Sequence, residues 1–445
     1  MRYLTGLLIL IWTSGAISQA DSLRLSACLE MALRHNPVFS GVQYEEQMSR
    51  QDYRHAVAER LPMLDVDASL RYQSDIPELD LPSLSLGGGQ APVTLFPGGV
   101  KELGSRDSYD FSITVSQPLF TGFRLKNRQA AARAKVKNKS LLVEGQRSSL
   151  IYSVESAYGN VLRAQHIADI AKTSRNQIEE HLQDVRNFFS QGLATKDDLL
   201  KVEVRLSEGE LNLLKADNAV DIARTALEQV IGKPLPADAS FALFEIDLKP
   251  ADLQGCLDTA MKKRPEIHAM QKVKQTAEIA IKIQQGAHYP SLAAFAKAGY
   301  GKPGLDFIRN EWMHYWVVGV GVEWPIWQWQ KKDAKIEKAK LAHKKVLEEE
   351  RELHNNIRMD VTHAWLTVRE KKSSLRLTTV LLQQAQQSFQ TSHDHYRQGM
   401  ASNTEFLDAQ SDLTRAELQK AKAFIDLQLA RANLKRAMGM NDKSL

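Results

Sequence analysis

The chain contains one short stretch twice, at residues 189–195 and 396–402: Phe189-Ser190-Gln191-Gly192-Leu193-Ala194-Thr195 and Tyr396-Arg397-Gln398-Gly399-Met400-Ala401-Ser402. Gly192 and Gly399 stand at the same place in each copy, 207 residues apart. On both sides of the first copy, the chain has no proline between Gly122 and Pro234, which is typical of long helices. A glycine between two such helices predicts a reversal of the chain. We therefore predict helical hairpins that turn at these two stretches.

Other landmarks recur in the same order, which indicates a duplicated chain. Three pairs are 228 residues apart and three more are 207 apart: Cys28 and Cys256, Asn36-Pro37 and Arg264-Pro265, Leu61-Pro62 and Tyr289-Pro290; then Pro118 and Pro325, Leu206 and Leu413, Gly232 and Gly439. The difference places 21 inserted residues between Pro62 and Pro118, where Ser74 to Arg106, with Gly87-Gly88-Gly89, has the composition of a loop. We predict a first repeat at 21–232, a linker at 233–252, a second repeat at 253–439 and a tail at 440–445.

Each repeat has the same predicted elements. In the first, a helix from Val38 to Arg60 ends before Pro62, because the residue before a proline disfavours helix. A strand, a loop and a second strand closed by Pro118 follow. A helix from Gly122 to about Ser190 would be about 100 Å long at roughly 1.5 Å per residue, and a second helix spans Lys196 to Ile231. Apolar residues of the long helix form a heptad seam typical of coiled coils: Leu150, Val154, Ala157, Val161, Ala164, Ala168, Ala171, Ile178, Leu182 and Val185.

The first 20 residues have the pattern of a signal peptide. Arg2 precedes the apolar run of residues 7–12, and Ser18-Gln19-Ala20 is a small-residue cleavage site. Charged residues make up 25% of the chain and the net charge is only +5, and no nucleic-acid module is present, so we expect no nucleic-acid partner. An exported protein can form disulfides. Cys28 and Cys256 are therefore either small buried residues or a bridge between the repeats.

The strands alternate apolar and polar residues in the pattern of membrane β-barrel strands. In the first repeat Leu64, Val66, Ala68, Leu70 and Tyr72 alternate with polar residues, as do Tyr109, Phe111, Ile113 and Val115; in the second, Trp316, Val318, Val320 and Val322 do so, whereas Phe295 falls on the polar side of its strand. Aromatic residues at the strand–helix junctions suit a membrane interface: Phe120, Phe123, Trp324, Trp327 and Trp329. Four strands cannot close a barrel in lipid, whereas three chains would supply twelve.

Together the hairpins, the long helices and the proline-marked repeat resemble the TolC outer-membrane efflux family over nearly the whole mature chain. The motifs that carry the resemblance are Asn36-Pro37, Leu61-Pro62, Gln117-Pro118-Leu119-Phe120-Thr121-Gly122, the two turn stretches and Glu405-Phe406-Leu407-Asp408-Ala409-Gln410. The resemblance implies a mainly α fold that assembles as a homotrimer. A twelve-stranded barrel would lie in outer-membrane lipid, and an α-helical tunnel would extend into the periplasm. Its partners would be a periplasmic adaptor (membrane fusion protein) and an inner-membrane pump.

The resemblance also implies two groups of site residues. The turns would contact the adaptor through Gly192, Leu193, Ala194, Thr195, Gly399, Met400, Ala401 and Ser402. Acidic residues just past the turns would narrow the closed end of the tunnel: Asp197, Asp198, Glu405 and Asp408. Threefold symmetry would make each carboxylate a ring that favours cations. The alternative is that these acids only stabilise the positive end of a helix dipole.

The sequence contains no pattern that indicates a catalytic residue, a cofactor site or a metal site. His393-Asp394-His395 is no exception, since residues two apart on a helix do not face each other. We predict passive export, either of small molecules by a proton-driven pump or of proteins by an ATP-driven type I secretion system. A periplasmic coiled-coil scaffold without a pore is the alternative from a different class.

Overall fold

The structure is a computed structural model that describes residues 23–86, 93–102, 105–236, 239–248, 252–306 and 310–440. The predicted signal peptide, Gly87-Gly88-Gly89 and most of the predicted tail lie outside these residues. The helices are α1 Leu25–His35, α2 Pro37–Ala58, α3 Arg124–Ser190, α4 Lys196–Ile231, α5 Leu253–Lys263, α6 Pro265–Gln285, α7 Lys331–Arg397 and α8 Asn403–Ala437, with a 3₁₀ turn at Gly286–His288. None of these described helices has the length and apolarity needed to cross a membrane.

Eight strands are described: β1 Met63–Tyr72, β2 Glu78–Leu81, β3 Leu84–Leu86, β4 Val93–Phe96, β5 Gly99–Glu102, β6 Asp107–Thr121, β7 Ser291–Lys302 and β8 Met313–Glu323. The prediction of a mainly helical chain with tandem helical hairpins and two β-hairpins is confirmed. Two short helices, α1 and α5, were not predicted; each precedes the proline that begins the next helix.

The composition of the inserted segment predicted a loop, but the structure also contains short strands there. Strand β2 pairs with β5 and strand β3 pairs with β4, both antiparallel. Pro77 and Pro82 flank β2, and Pro97 lies between β4 and β5. Prolines at strand ends remove no ladder hydrogen bond, so here they mark the ends of short strands.

Strands β1, β6, β7 and β8 form one antiparallel sheet in that order. It belongs to a compact unit of residues 46–139 and 270–349. Strand β6 continues past Pro118 to Thr121, beyond the predicted end, with an irregular register between Pro118 and Phe120. Pairing with β1 stops at Ser116. Pro118 has no backbone N–H, but no hydrogen bond to β1 is lost, because β1 does not extend to this position.

The other compact unit comprises the described residues of 1–45, 140–269 and 350–445. Its core has three clusters of buried apolar side chains, which contain Tyr158, Val361 and Leu182 respectively. Most of the predicted seam of α3 is buried, including Val154, Val161 and Val185. Tyr158 lies off that seam and is also fully buried, so α3 packs against neighbours on two sides.

The two cysteines lie in different clusters of this core, Cys28 in the cluster that contains Tyr158 and Cys256 in the cluster that contains Val361, and both are buried thiols. A bridge between the repeats is therefore absent from the described structure. Burial raises the pKa of the Cys28 thiol to about 11, since the thiolate would lose its hydration.

Residues 239–248 of the predicted linker pack against this core. The hydroxyl of Tyr158 lies 2.7 Å from the carbonyl oxygens of Leu23 and Ala242. The backbone N–H of Ile246 donates to Oε1 of the buried Gln428 at 2.9 Å. Each of these buried polar groups thereby has a hydrogen-bond partner, which fixes residues 239–248 in place.

Candidate functional site

Both predicted turns are tight reversals between consecutive helices. The N–H of Leu193 donates to the carbonyl oxygen of Phe188 at 2.8 Å, and the second turn has the equivalent bond. Gly192 has φ +74° and Gly399 has φ +72°, in the left-handed region that disfavours other residues. Leu193 is 72% exposed and Met400 is 63% exposed. Each turn thus exposes one apolar side chain to solvent, and hydrogen bonds fix the backbone that carries it.

The helices that follow the turns begin with reciprocal hydrogen bonds. Oγ1 of Thr195 accepts from the N–H of Asp198 at 3.1 Å, and Oδ2 of Asp198 accepts from the N–H of Thr195 at 3.1 Å. Ser402 and Glu405 form the same pair, at 3.2 and 2.9 Å. The hydrogen bond from the Thr195 hydroxyl lowers the pKa of the Asp198 carboxyl. Two of the four predicted gate carboxylates therefore have a local role, which is to accept a hydrogen bond from the backbone N–H of the residue that caps the helix.

The other two predicted gate residues differ from these. Asp197 forms an exposed ion pair with Lys201, one helical turn later, at 2.8 Å. Asp408 is exposed on α8, and no hydrogen bond or ion pair of its side chain occurs within the described ranges. Of the four carboxylates, Asp408 is the one for which local structure gives no role. A gate function for these residues remains a prediction.

A contact between the repeats lies next to the turns, and the sequence did not predict it. Nε2 of His181 on α3 lies 2.8 Å from Oδ1 of Asn403, the first residue of α8. Nδ2 of Asn403 in turn donates to the carbonyl oxygen of Asp198 at 3.3 Å. His181 and Asn403 are both buried, and burial lowers the pKa of His181. A single amide therefore links α8 to both helices of the first hairpin.

Aromatic rings surround this contact. The ring of Phe406 lies 4.2 Å from that of His181, 5.5 Å from Tyr396 and 5.6 Å from Phe389, measured between centroids. The available signal was a histidine between seam positions Ile178 and Leu182, which implies burial without naming a partner.

The four-stranded sheet has two chemically different faces. Apolar side chains on one face are exposed, and those of β8 are 62–75% exposed: Trp316, Val318, Val320 and Val322. The opposite face carries polar residues such as Asp67 and Thr114. Phe295 does not follow the alternation of apolar and polar residues, and it lies opposite Gly319. A Cβ at Gly319 would fall 2.8 Å from Cζ of Phe295. The ring thus occupies space that glycine leaves empty.

The described residues contain no group of three or more His, Cys, Asp or Glu side chains able to hold a metal ion. In the His393-Asp394-His395 segment, Nδ1 of His393 lies 3.5 Å from Oδ1 of Asp394. The His393 ring lies 6.1 Å from that of Phe389. The histidine thus belongs to the aromatic cluster around Phe406.

The sequence profile of the family described as outer membrane efflux protein matches residues 28–233 and 256–440. The alkaline protease secretion protein AprF of Pseudomonas aeruginosa is 23% identical over 98% of this chain and 89% of its own length. The outer membrane efflux protein BepC of Brucella suis is 24% identical over 80% of this chain and 76% of its own.

Solved structures of membrane channels share the fold. The structure of CusC aligns with a TM-score of 0.77 at 18% identity, over 93% of this chain and 92% of that one. The open state of the Neisseria gonorrhoeae MtrE outer membrane channel aligns with a TM-score of 0.76 at 20% identity, over 94% of this chain and 89% of that one.

Proposed function

This chain belongs to the outer membrane efflux protein family, and from that premise we propose that it is the trimeric exit duct of a tripartite export system. Membership places the protein in the outer membrane and in a family of transport channels. The proposal adds passive conduction without catalysis, with a periplasmic adaptor and an inner-membrane pump supplying cargo and energy.

The observation that carries the proposal is the four-stranded sheet. Its outer strands, β1 and β8, each have one edge without a partner among the described strands. Exposed apolar residues cover one face, and most of the charged and hydroxyl side chains lie on the other. Unpaired backbone groups are too costly in lipid for an open sheet, so closure requires further copies of the chain. Three copies give twelve strands with the apolar face toward lipid, a size known for membrane barrels.

The same face argues against the alternative of a periplasmic scaffold. A large exposed apolar surface is unfavourable in an aqueous compartment unless a partner or a membrane covers it.

Between the two kinds of cargo, we favour protein secretion over small-molecule efflux. The support is that AprF, named for protease secretion, matches 98% of this chain, whereas the efflux protein BepC matches 80%.

The adaptor can be sought by site-specific crosslinking in living cells. A photo-crosslinker at Leu193 or Met400 should capture a periplasmic adaptor, which mass spectrometry identifies together with its pump. Ile222, 70% exposed on the same hairpin but away from the turn, is the matched control position. Capture at the control but not at either turn would overturn the docking assignment, and an absence of conductance by purified trimers in planar bilayers would overturn the duct.

A further inference from the structure

Three side chains from neighbouring strands meet on the polar face of the sheet. Oη of Tyr315 on β8 donates to Oδ1 of Asp110 on β6 at 2.5 Å. Nζ of Lys297 on β7 lies 3.5 Å from Oδ2 of the same carboxylate. The Lys297 ammonium also lies 5.6 Å from the centre of the Tyr315 ring. One carboxylate is thus held by a hydroxyl on one oxygen and a positive charge on the other.

A glycine on the middle strand makes this arrangement possible. The register places Gly299 directly opposite Tyr315. A Cβ at Gly299 would fall 2.4 Å from Cζ of the tyrosine, so any side chain there would displace the ring. Because the ring lies over this glycine, its hydroxyl reaches past β7 to Asp110 on the next strand. The geometry is therefore specific to these positions and is not a chance contact of long side chains.

The charges on this face are mostly negative. The alternation of the four strands and their register put four acidic and two basic side chains on it: Asp65, Asp67, Asp110 and Glu323 against Arg71 and Lys297. Thr114 pairs with both Asp65 and Lys297, so these two lie in one cross-strand row. Arg71 lies near the end of β1. Lys297 is thus the positive charge among the acidic residues of the middle of the face.

We propose that Lys297 limits the cation preference of the pore by neutralising Asp110, whose carboxylate Tyr315 holds in position. The inference rests on the proposed function, because this face lines a channel only when the sheet closes into a barrel. Threefold symmetry would repeat the Lys297–Asp110 pair as a ring, and rings of charged side chains determine which small ions a pore favours. Without Lys297, three additional carboxylates would act on passing ions.

The test is the reversal potential of purified trimers in planar bilayers across a KCl gradient. Lys297→Met should shift it toward the K⁺ equilibrium potential, and Asp110→Asn should shift it toward that of Cl⁻. The double variant should lie close to the wild type, because it removes one charge of each sign. Lys302→Met is the matched control, since Lys302 lies on the same strand but alternates onto the opposite face.

Each outcome decides the inference. A conducting Lys297→Met channel with the wild-type reversal potential overturns it, as does an equal shift for Lys302→Met. If Lys297→Met does not assemble, the shift of Asp110→Asn toward Cl⁻ is the deciding measurement, and its absence overturns the inference. A wild-type protein that does not conduct overturns the proposed function and this inference with it, whereas a conducting but unaltered variant overturns this inference alone.

Discussion

Asn36 and Arg264 occupy equivalent positions in the two repeats, and both side chains connect two helices by hydrogen bonds, one through an amide and the other through a guanidinium. Asn36 precedes α2, and its Nδ2 donates to the carbonyl oxygen of Val230 near the end of α4 at 2.8 Å. Its counterpart Arg264 precedes α6, and its guanidinium donates to Asp360 at 2.8 Å and lies 3.4 Å from the carbonyl oxygen of Ala437, at the end of α8. Each side chain therefore ties the start of one helix to the end of another. The buried Arg264 needs a carboxylate as well, because a buried charge without one is costly.

A pH dependence follows from His181. Burial lowers its pKa when folded, so below its ordinary pKa of about 6.5 the unfolded chain binds a proton that the folded chain does not. The free energy of unfolding of the region around Asn403 therefore decreases as the pH falls. The decrease is up to about 1.4 kcal/mol per pH unit until the lowered pKa is reached. Asp184 and His393 are the other titratable groups acting on it.

Hydrogen exchange at the start of α8 measures this effect. We expect protection there to fall between pH 7.5 and about 5.5 in the wild type and to change much less in His181→Gln, which retains a donor for Asn403. His363→Gln, at an exposed position on α7, should behave like the wild type. Equal pH dependence in wild type and His181→Gln would contradict the assignment.

At the scale of elements, the sequence predicted most reliably what local chemistry determines. Helix α4 was predicted from Lys196 to Ile231 and has those bounds, because Thr195 begins it with a capping hydrogen bond and Gly232 ends it. The long helices and the seam of α3 followed from the heptad pattern. Strands β2 to β5 were missed, because runs of three or four residues between prolines give too little alternation to distinguish strand from loop.

The candidate site was predicted only in its local parts. Both turns and the acidic residues after them were identified, and the stated alternative to a gate was that these acids stabilise a helix dipole. The reciprocal hydrogen bonds of Asp198 and Glu405 with the capping residues were not predicted. The contact of His181 with Asn403 joins residues 222 apart in the chain. Such a contact depends on which helices pack together and in what register, and no local pattern in either segment specifies that partner.

The turns themselves allow a prediction at this scale. Gly399→Ala should destabilise the second hairpin by about 1–2 kcal/mol, because alanine disfavours the left-handed backbone that φ +72° requires. Space is not the reason, since a Cβ there would meet no atom within 4 Å. Urea unfolding followed by circular dichroism measures the change.

Gly145 provides the matched control for that substitution. It lies inside α3, where a Cβ would make only an ordinary contact, 3.7 Å from Cγ of Pro265. Gly145→Ala should therefore stabilise the protein by about 0.5–1 kcal/mol through helix propensity. A loss of stability in Gly145→Ala equal to that of Gly399→Ala would contradict the role given to the backbone angle.

For the whole molecule, the two faces of the sheet predict opposite tolerance to charge at adjacent residues. Val318 lies in the middle of β8 on the exposed apolar face, and Val317 lies next to it on the other. Val318→Arg should cost about 2–4 kcal/mol of folding free energy in a bilayer, because it places a charge in hydrocarbon. Val317→Arg should cost much less, since its face is polar. Urea titration of the refolded protein in lipid vesicles compares them, and equal losses would contradict the assignment of the faces.

The two edges of the sheet that have no partner among the described strands also have a genetic consequence. In the proposed closed ring of three chains, each chain forms one seam with each of its two neighbours. A copy with one damaged hairpin would leave one seam open, and the two intact copies in that ring could then not form a closed barrel. If normal and damaged chains are made in equal amounts and mix at random, roughly one in eight rings contains only normal chains. A mutation in β1 or β8 that blocks pairing but leaves the chain able to assemble would therefore be dominant over the normal gene, whereas loss of the whole protein would be recessive.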